Sequence, residues 1–206
     1  MKKAVLITVN LFVFILGINA QKLRVGIYAG AGFANVKSDY SEVSILPVTE
    51  GGLSAHYGIH LNIPIVERVE FETGLQKVTK GYNYWADNAF AEPQYTKIQC
   101  ASVPAVLLFH ILNYPDEVPF RFSIGLGAYM SYAVSGKITS GDGTKTDAGF
   151  SNAKRNETGP RWMMKWEFAH KVECYLSNDM KSTNIIKNGG GYIKQGSFQV
   201  GFGYIF

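Results

Sequence analysis

The sequence predicts an all-β protein, an eight-stranded antiparallel up-and-down transmembrane β-barrel, and three observations carry that prediction. Long segments alternate apolar and non-apolar residues without a break. The stretches between them run long, short, long, short. The 206 residues are 47% hydrophobic and only 17% charged, with 22 Gly, 13 Phe, 12 Tyr and 3 Trp. So low a charged fraction excludes a solvated disordered chain, and the glycines follow no collagen-like or repeat period. A soluble β-sandwich shares this composition, so the residue pattern has to separate the two.

Residues 1–20 read as a signal peptide that is cleaved. Lys2 and Lys3 form a basic start, Ala4 to Gly17 is apolar except for Thr8 and Asn10, and Ile18-Asn19-Ala20 places a small residue before Gln21. The apolar run spans roughly 21 Å as a helix, short of a hydrocarbon core of about 30 Å. No Cys follows the cut, which disfavours a lipid anchor. Residues 21–206 are then expected to form one outer-membrane barrel domain. Of the 20 Lys and Arg, two lie in the leader, which leaves 18 against 16 acidic residues. That balance, with no basic stripe interleaved with aromatics, gives no argument for nucleic acid as a partner. The longest later apolar stretch, Val103 to Leu112, holds Pro104 and His110 and is far too short to span as a helix. A membrane-spanning chain must then close as a barrel, the other way to satisfy every backbone group in lipid.

Each strand is read from its period of two. Leu23, Val25, Ile27, Ala29, Ala31 and Phe33 oppose Arg24, Gly26, Tyr28, Gly30 and Gly32. The clearest strand runs from Leu53 to Ile63, with Leu53, Ala55, Tyr57, Ile59, Leu61 and Ile63 on one face and Ser54, His56, Gly58, His60 and Asn62 on the other. Its length suits a tilted bilayer-spanning strand of about 9–11 residues rather than the usual 5–6 of soluble strands. Val69, Phe71, Thr73 and Leu75 oppose Glu70, Glu72, Gly74 and Gln76, and the next outward residue is Lys77. A lipid-facing Lys costs about 2–4 kcal/mol at the midplane and little at the interface. At roughly 2.5 Å of height per tilted residue, Lys77 falls near the outer rim of the apolar band. Residues 97–111 turn Ala101, Val103, Ala105, Leu107, Phe109 and Ile111 outward, and Phe120 to Val134 repeats the alternation. Arg161 to Leu176 alternates throughout, as one long strand or as two that bend near Ala169–Lys171. The last strand sets Phe198, Val200, Phe202, Tyr204 and Phe206 against Ser197, Gln199, Gly201, Gly203 and Ile205.

The non-apolar face carries Gly, Ser, Gln and His with scattered Arg and Glu, which suits a narrow crowded lumen; a water-facing surface would hold more Lys and Glu. Aromatics near the strand ends, among them Phe33, Tyr57, Phe71, Phe120, Tyr132, Trp162, Tyr204 and Phe206, suit interfacial girdles. The connections are expected at 37–52, Pro64 to Glu67, 81–96, Asn113 to Pro119 and 136–160. Long outer loops alternating with short inner turns are what an outer-membrane barrel shows. The final strand closes on Gln199, Gly201, Tyr204 and Phe206, a spacing that looks like the C-terminal signal read by the barrel assembly machinery rather than a plain terminal strand.

The motifs on these strands resemble the PorT-like outer-membrane β-barrel family of Bacteroidetes. Gly74-Leu75-Gln76-Lys77-Val78-Thr79-Lys80-Gly81-Tyr82 is similar to that family's Gly-Leu…Lys-Gly strand, and Ser102-Val103-Pro104-Ala105-Val106-Leu107-Leu108 to its Ile/Val-Pro-Leu-Leu strand. Gly125 to Tyr132 resembles its Gly-x-Gly-x-Tyr strand, and Thr183-Asn184-Ile185 a short motif before its last loop. Residues 161–180 depart from the pattern, lacking its glycines. The resemblance implies the outer membrane as location, with envelope or secretion proteins as partners; the founding member is associated with type IX secretion.

The chemistry of the inward face reads as structural. His56 and His60 lie about 13 Å apart along one strand, too far to share a metal ion, so hydrogen bonding in the lumen is expected. Arg24, Glu70, Glu72, Arg121, Lys165 and Glu167, with Lys171 and Glu173, mix signs on the inward register, which suggests an ion-pair network rather than an acid–base site. Eight strands leave just enough interior for side chains to fill, so no wide pore is expected. Parity turns Cys100 inward and Cys174 outward, against a disulfide. No Ser-His-Asp spacing, nucleotide loop or zinc motif is present, and no catalytic residue, metal or cofactor is assigned. The expected function is a non-enzymatic outer-membrane barrel acting through exposed loops or within envelope or secretion machinery. The alternatives are a barrel-type lipid-modifying enzyme and, more remotely, a lipocalin-like carrier.

Overall fold

The computed structural model describes residues 23–40, 48–85, 94–114, 119–147, 155–180, 184–188 and 191–206. The leader at 1–20 and Thr183 lie outside these residues. Among the described residues ten strands are formed: β1 (Arg24–Tyr40), β2 (Val48–Val66), β3 (Val69–Trp85), β4 (Gln94–Tyr114), β5 (Phe120–Thr139), β6 (Lys145–Asp147), β7 (Asn156–Phe168), β8 (Val172–Asp179), β9 (Asn184–Asn188) and β10 (Gly191–Ile205). Eight of them, β1–β5, β7, β8 and β10, pair antiparallel with their neighbours, and β1 also pairs β10, from Gly26↔Ile205 onward, so the sheet closes on itself. Short β6 and β9 are arms of hairpins that extend β5 and β10. Closure removes the free edges that an open sheet would expose.

Register follows the alternation. Row after row, outward residues meet outward residues: Ile27↔Ile59↔Leu75 on β1–β3 and Leu107↔Leu126↔Trp162 on β4–β7. The outer wall exposes large apolar side chains, among them Leu53 (70%), Leu126 (62%) and Phe202 (68%). The inward face buries Lys80 and Arg161 to 1% and 2%. This inverts the arrangement of a water-soluble protein, in which ionised groups are almost never buried and apolar groups fill the core.

Three expectations need correction. The strands run well beyond the predicted segments: much of 37–52, 81–96 and 136–160 is paired backbone, because hairpin ladders continue past the apolar band through Thr, Tyr and Lys positions. Lys171 does not point into the lumen; it lies exposed in a turn. Ile63 sits on the outward register but is covered to 3% exposure, beside the irregularity between Pro64 and Val66.

The segment 161–180 resolves into two strands. Phe168 pairs Val172, and Ala169 and His170 between them adopt φ of 50° and 57°. Left-handed conformations at both central positions characterise hairpin turns that usually use Asn or Gly. The Lys171 N–H donates to the Phe168 carbonyl (3.1 Å) and the Ala169 N–H to the Pro119 carbonyl (2.7 Å), so the neighbouring connection helps hold the turn.

Candidate functional site

The inward side chains stack in tiers from the short-turn end of the barrel to the long-loop end. In the first, Arg24 donates to both oxygens of Glu70 (2.9 Å each) and to Glu167 (2.6 Å), with Arg121 3.5 and 3.6 Å from the same carboxylates. Above it, Lys165 lies 2.6 Å from Glu72 and 2.8 Å from Glu173. The Asn62 carboxamide fits between them, its nitrogen 3.1 Å from Glu72 and its oxygen 3.2 Å from Lys165. The third tier is aromatic: Tyr28 stacks on His60 with centroids 5.4 Å apart, meets Tyr175 edge-on at 5.7 Å, and donates to Gln76 (2.9 Å). His56 hydrogen-bonds the Tyr175 hydroxyl. Arg161 then faces Asp179 at 3.3 Å and donates to Ser177 (3.1 Å). Lys80, donating to both oxygens of Glu157 (3.0 and 2.8 Å), and Tyr129, donating to Glu157 (2.6 Å), form the last tier.

All eight lumen residues read from the sequence, Arg24, His56, His60, Glu70, Glu72, Arg121, Lys165 and Glu167, therefore lie on the inward face. Those at the short-turn end and the middle meet one another; His56 joins the aromatic tier, and His60 links that tier to the one below, its Nδ1 3.4 Å from Glu173. Sequence reasoning missed Lys80, Glu157, Arg161, Asp179 and His110. Parity was the available signal for all five: Lys80 shares the inward register of Glu70 and Gln76, Glu157 and Arg161 that of Lys165, Asp179 that of Glu173, and His110 that of Ser102 and Leu108. Among the described residues, five cations stand against six carboxylates in these tiers.

The glycines explain how so many long side chains fit. Inward glycines repeatedly stand directly opposite a large inward residue, as in Gly26↔His60, Gly30↔His56, Gly201↔Tyr175 and Gly203↔Glu173. A Cβ on Gly30 would lie 2.6 Å from the His56 ring, and one on Gly203 2.8 Å from the Glu173 Cγ. Small residues facing large ones fill a narrow barrel. The cavity between Tyr28, His60, Glu72, Arg161 and Lys165 measures about 10 Å³. That is space for one water.

One grouping has the outline of a hydrolase site. His110 Nδ1 lies 2.8 Å from Ser123 Oγ and His110 Nε2 3.4 Å from Glu70. Ser123 is 3% exposed, and Glu70 is already held through both oxygens by Arg24. A nucleophile must be reachable and its base free to take a proton, so this trio braces the barrel. Among the described residues, no group of three or more His, Cys, Asp or Glu is placed to hold a metal ion.

At the seam, Gln199 and Gly201 point inward, whereas Tyr204 (41% exposed) and Phe206 (74%) face out. The Phe206 N–H donates to the Val25 carbonyl at 2.9 Å. The two thiols are free, Cys100 buried and Cys174 half-buried.

No family model matches the sequence, and no curated protein matches it. Solved structures do. The outer membrane protein OprG from Pseudomonas aeruginosa superposes with a TM-score of 0.52 at 10% identity, over 88% of this chain and 95% of that one. Ail, the attachment invasion locus protein of Yersinia pestis, in complex with the heparin analogue sucrose octasulfate, gives 0.45 at 17% identity over 89% and 99%. Neisserial surface protein A gives 0.40 at 14% identity over 87% and 97%. The OprG superposition establishes the fold: a closed eight-stranded antiparallel barrel of the kind found in bacterial outer membranes.

Proposed function

We propose that the protein resides in the bacterial outer membrane as a non-enzymatic barrel with a closed lumen, and that it acts through its long-loop end. The observation that carries this reading is the inversion of polarity across one sheet: an apolar outer wall around an interior filled, tier on tier, by paired charges. The wall suits lipid, and among the described residues the paired side chains filling the bore support a closed lumen. The short turns then face the periplasm and the long hairpins the exterior, as in other such barrels. The motif resemblance supports a PorT-like protein, exported on a leader at 1–20 and partnered by envelope or secretion proteins. Gln199, Gly201, Tyr204 and Phe206 fit recognition by the assembly machinery, since they lie on the strand that closes the barrel.

Electrophoresis of detergent-extracted protein with and without boiling tests the membrane reading. The folded barrel is expected to migrate differently before heating and to sediment with outer membranes; a periplasmic protein without a mobility shift would overturn it. Planar-bilayer recording tests the closed lumen, where sustained single-channel conductance would overturn it.

A further inference from the structure

The outer wall of β3–β5 departs from the apolar pattern at one place. Lys77, on the outward register, lies with its Nζ 6.0 Å from the Tyr57 ring centroid. Farther toward the long-loop end, Lys97 on β4 pairs directly with Lys137 on β5, and both are exposed. Like charges placed opposite one another across a ladder repel. Neither Lys has a carboxylate within ion-pair distance among the described residues; Asp147, the register partner of Lys137 on β6, makes no such contact.

Below these cations the wall is concave. An outward-facing recess of about 780 Å³ is lined by Ile27, Ile59, Leu75, Ala101 and Val134, with Lys77 at its edge. It opens where the row Tyr57↔Lys77↔Ala101↔Tyr132 passes through the small side chain of Ala101 between two exposed tyrosines. Lys97 lies four residues beyond Ala101, about 13 Å along the strand. The flexible stems of Lys77 and Lys97 let both ammonium groups approach one anion between them. An apolar trough beneath the exposed Lys77, Lys97 and Lys137, near the expected outer rim of the apolar band, matches an amphiphile with an anionic head.

We propose that this face binds a phosphate-bearing lipid of the outer leaflet, with an acyl chain in the recess and the phosphate held by Lys77, Lys97 and Lys137. The proposal rests on the membrane reading above and gives that wall a defined lipid class.

The test uses refolded full-length protein in mixed micelles with phosphatidic acid, and diacylglycerol of the same chains as the phosphate-free control, with bound lipid counted by native mass spectrometry. Phosphatidic acid should be retained and diacylglycerol not. The K97Q/K137Q double variant should lower retention about tenfold, the loss expected for charge-assisted contacts. A101F, which fills the recess from outside, should also lower it. Equal retention of both lipids, or no change in the double variant, would overturn the proposal. Inorganic phosphate that displaces the lipid at equal concentration would reassign the cluster to a free anion and overturn it too. The mobility shift before boiling is recorded on every sample. A normal shift without selective retention removes the lipid site and leaves the membrane reading standing, whereas loss of the shift in unmodified protein removes the membrane reading itself.

Discussion

Replacing Lys165 by Met removes the cation that stands between two buried carboxylates. Its Nζ lies 2.6 Å from Glu72 and 2.8 Å from Glu173, and the three side chains are 4%, 6% and 2% exposed. Deleting one partner of a buried pair leaves uncompensated charge and costs about 3–5 kcal/mol. For a chain of this size each kcal/mol moves the unfolding midpoint by about 2–4 °C, so Lys165→Met should lower it by roughly 6–20 °C. Glu72→Gln acts in the opposite electrostatic sense. It keeps an acceptor for Lys165, leaves Glu173 as its counter-ion and trims the carboxylate excess, so its loss should be about 1–3 kcal/mol. Heating aliquots in detergent before unboiled electrophoresis gives both midpoints from the fraction of compact band. Conductance should stay at background in both variants, because the Arg24–Glu70–Glu167, Arg161–Asp179 and Lys80–Glu157 tiers still fill the bore. A Lys165→Met midpoint within about 2 °C of the parent, or a larger loss for Glu72→Gln, would refute the ladder as a source of stability.

Gly30→Leu should abolish the compact unboiled band, since its side chain has no space beside His56, whereas Ala31→Leu on the lipid-facing register should preserve it. Ala169→Gly should raise the unfolding midpoint by roughly 1–4 °C, because a left-handed φ of 50° is strained for Ala and free for Gly. In the β5–β6 turn, the Thr144 hydroxyl and N–H donate to Asp142 (2.7 and 2.8 Å) and hold its carboxyl below the ordinary value. The contribution of that contact is present above the unfolded-state pKa of the carboxyl and is lost as pH falls through the lowered one; NMR titration of Thr144→Val should return Asp142 toward the ordinary range. Tyr204→Ala with Phe206→Ala should reduce surface-assembled protein in cells while in vitro refolding into detergent is preserved; unchanged surface levels would separate these residues from assembly.

The alternation made the barrel legible because a sheet with lipid on one side and a filled bore on the other writes its two faces into every second residue. Leu53 to Ile63 is the clearest instance. Partnership across the bore was not legible: Lys80 meets Glu157 and Arg24 meets Glu167 across 77 and 143 positions. Parity places each of them on the inside without saying at what height, and height is set by strand stagger. The turn at Ala169-His170 was obscured for a different reason. It lacks the Gly or Asn that normally mark left-handed positions, and Phe168 and Val172 on either side keep the outward register. The recess with Lys77 at its edge, and Lys97 and Lys137 beyond it, was not legible because these lysines come from three strands.

The strands of this barrel are longer than a membrane needs. β4 spans 21 residues and β5 spans 20. At roughly 2.5 Å of height per residue, each rises about 50 Å, twice the 25 Å apolar band of an outer-membrane barrel. About half of that height stands clear of the hydrocarbon as hydrogen-bonded ladder. A partner engaging the long-loop end, as proposed above, would therefore meet hydrogen-bonded strand over much of the described height. Ordering a loop on binding consumes part of the affinity that its contacts generate, and a ladder already fixed before the encounter spares most of that loss. Recognition on such a surface favours rigid docking and fast engagement over folding around the ligand.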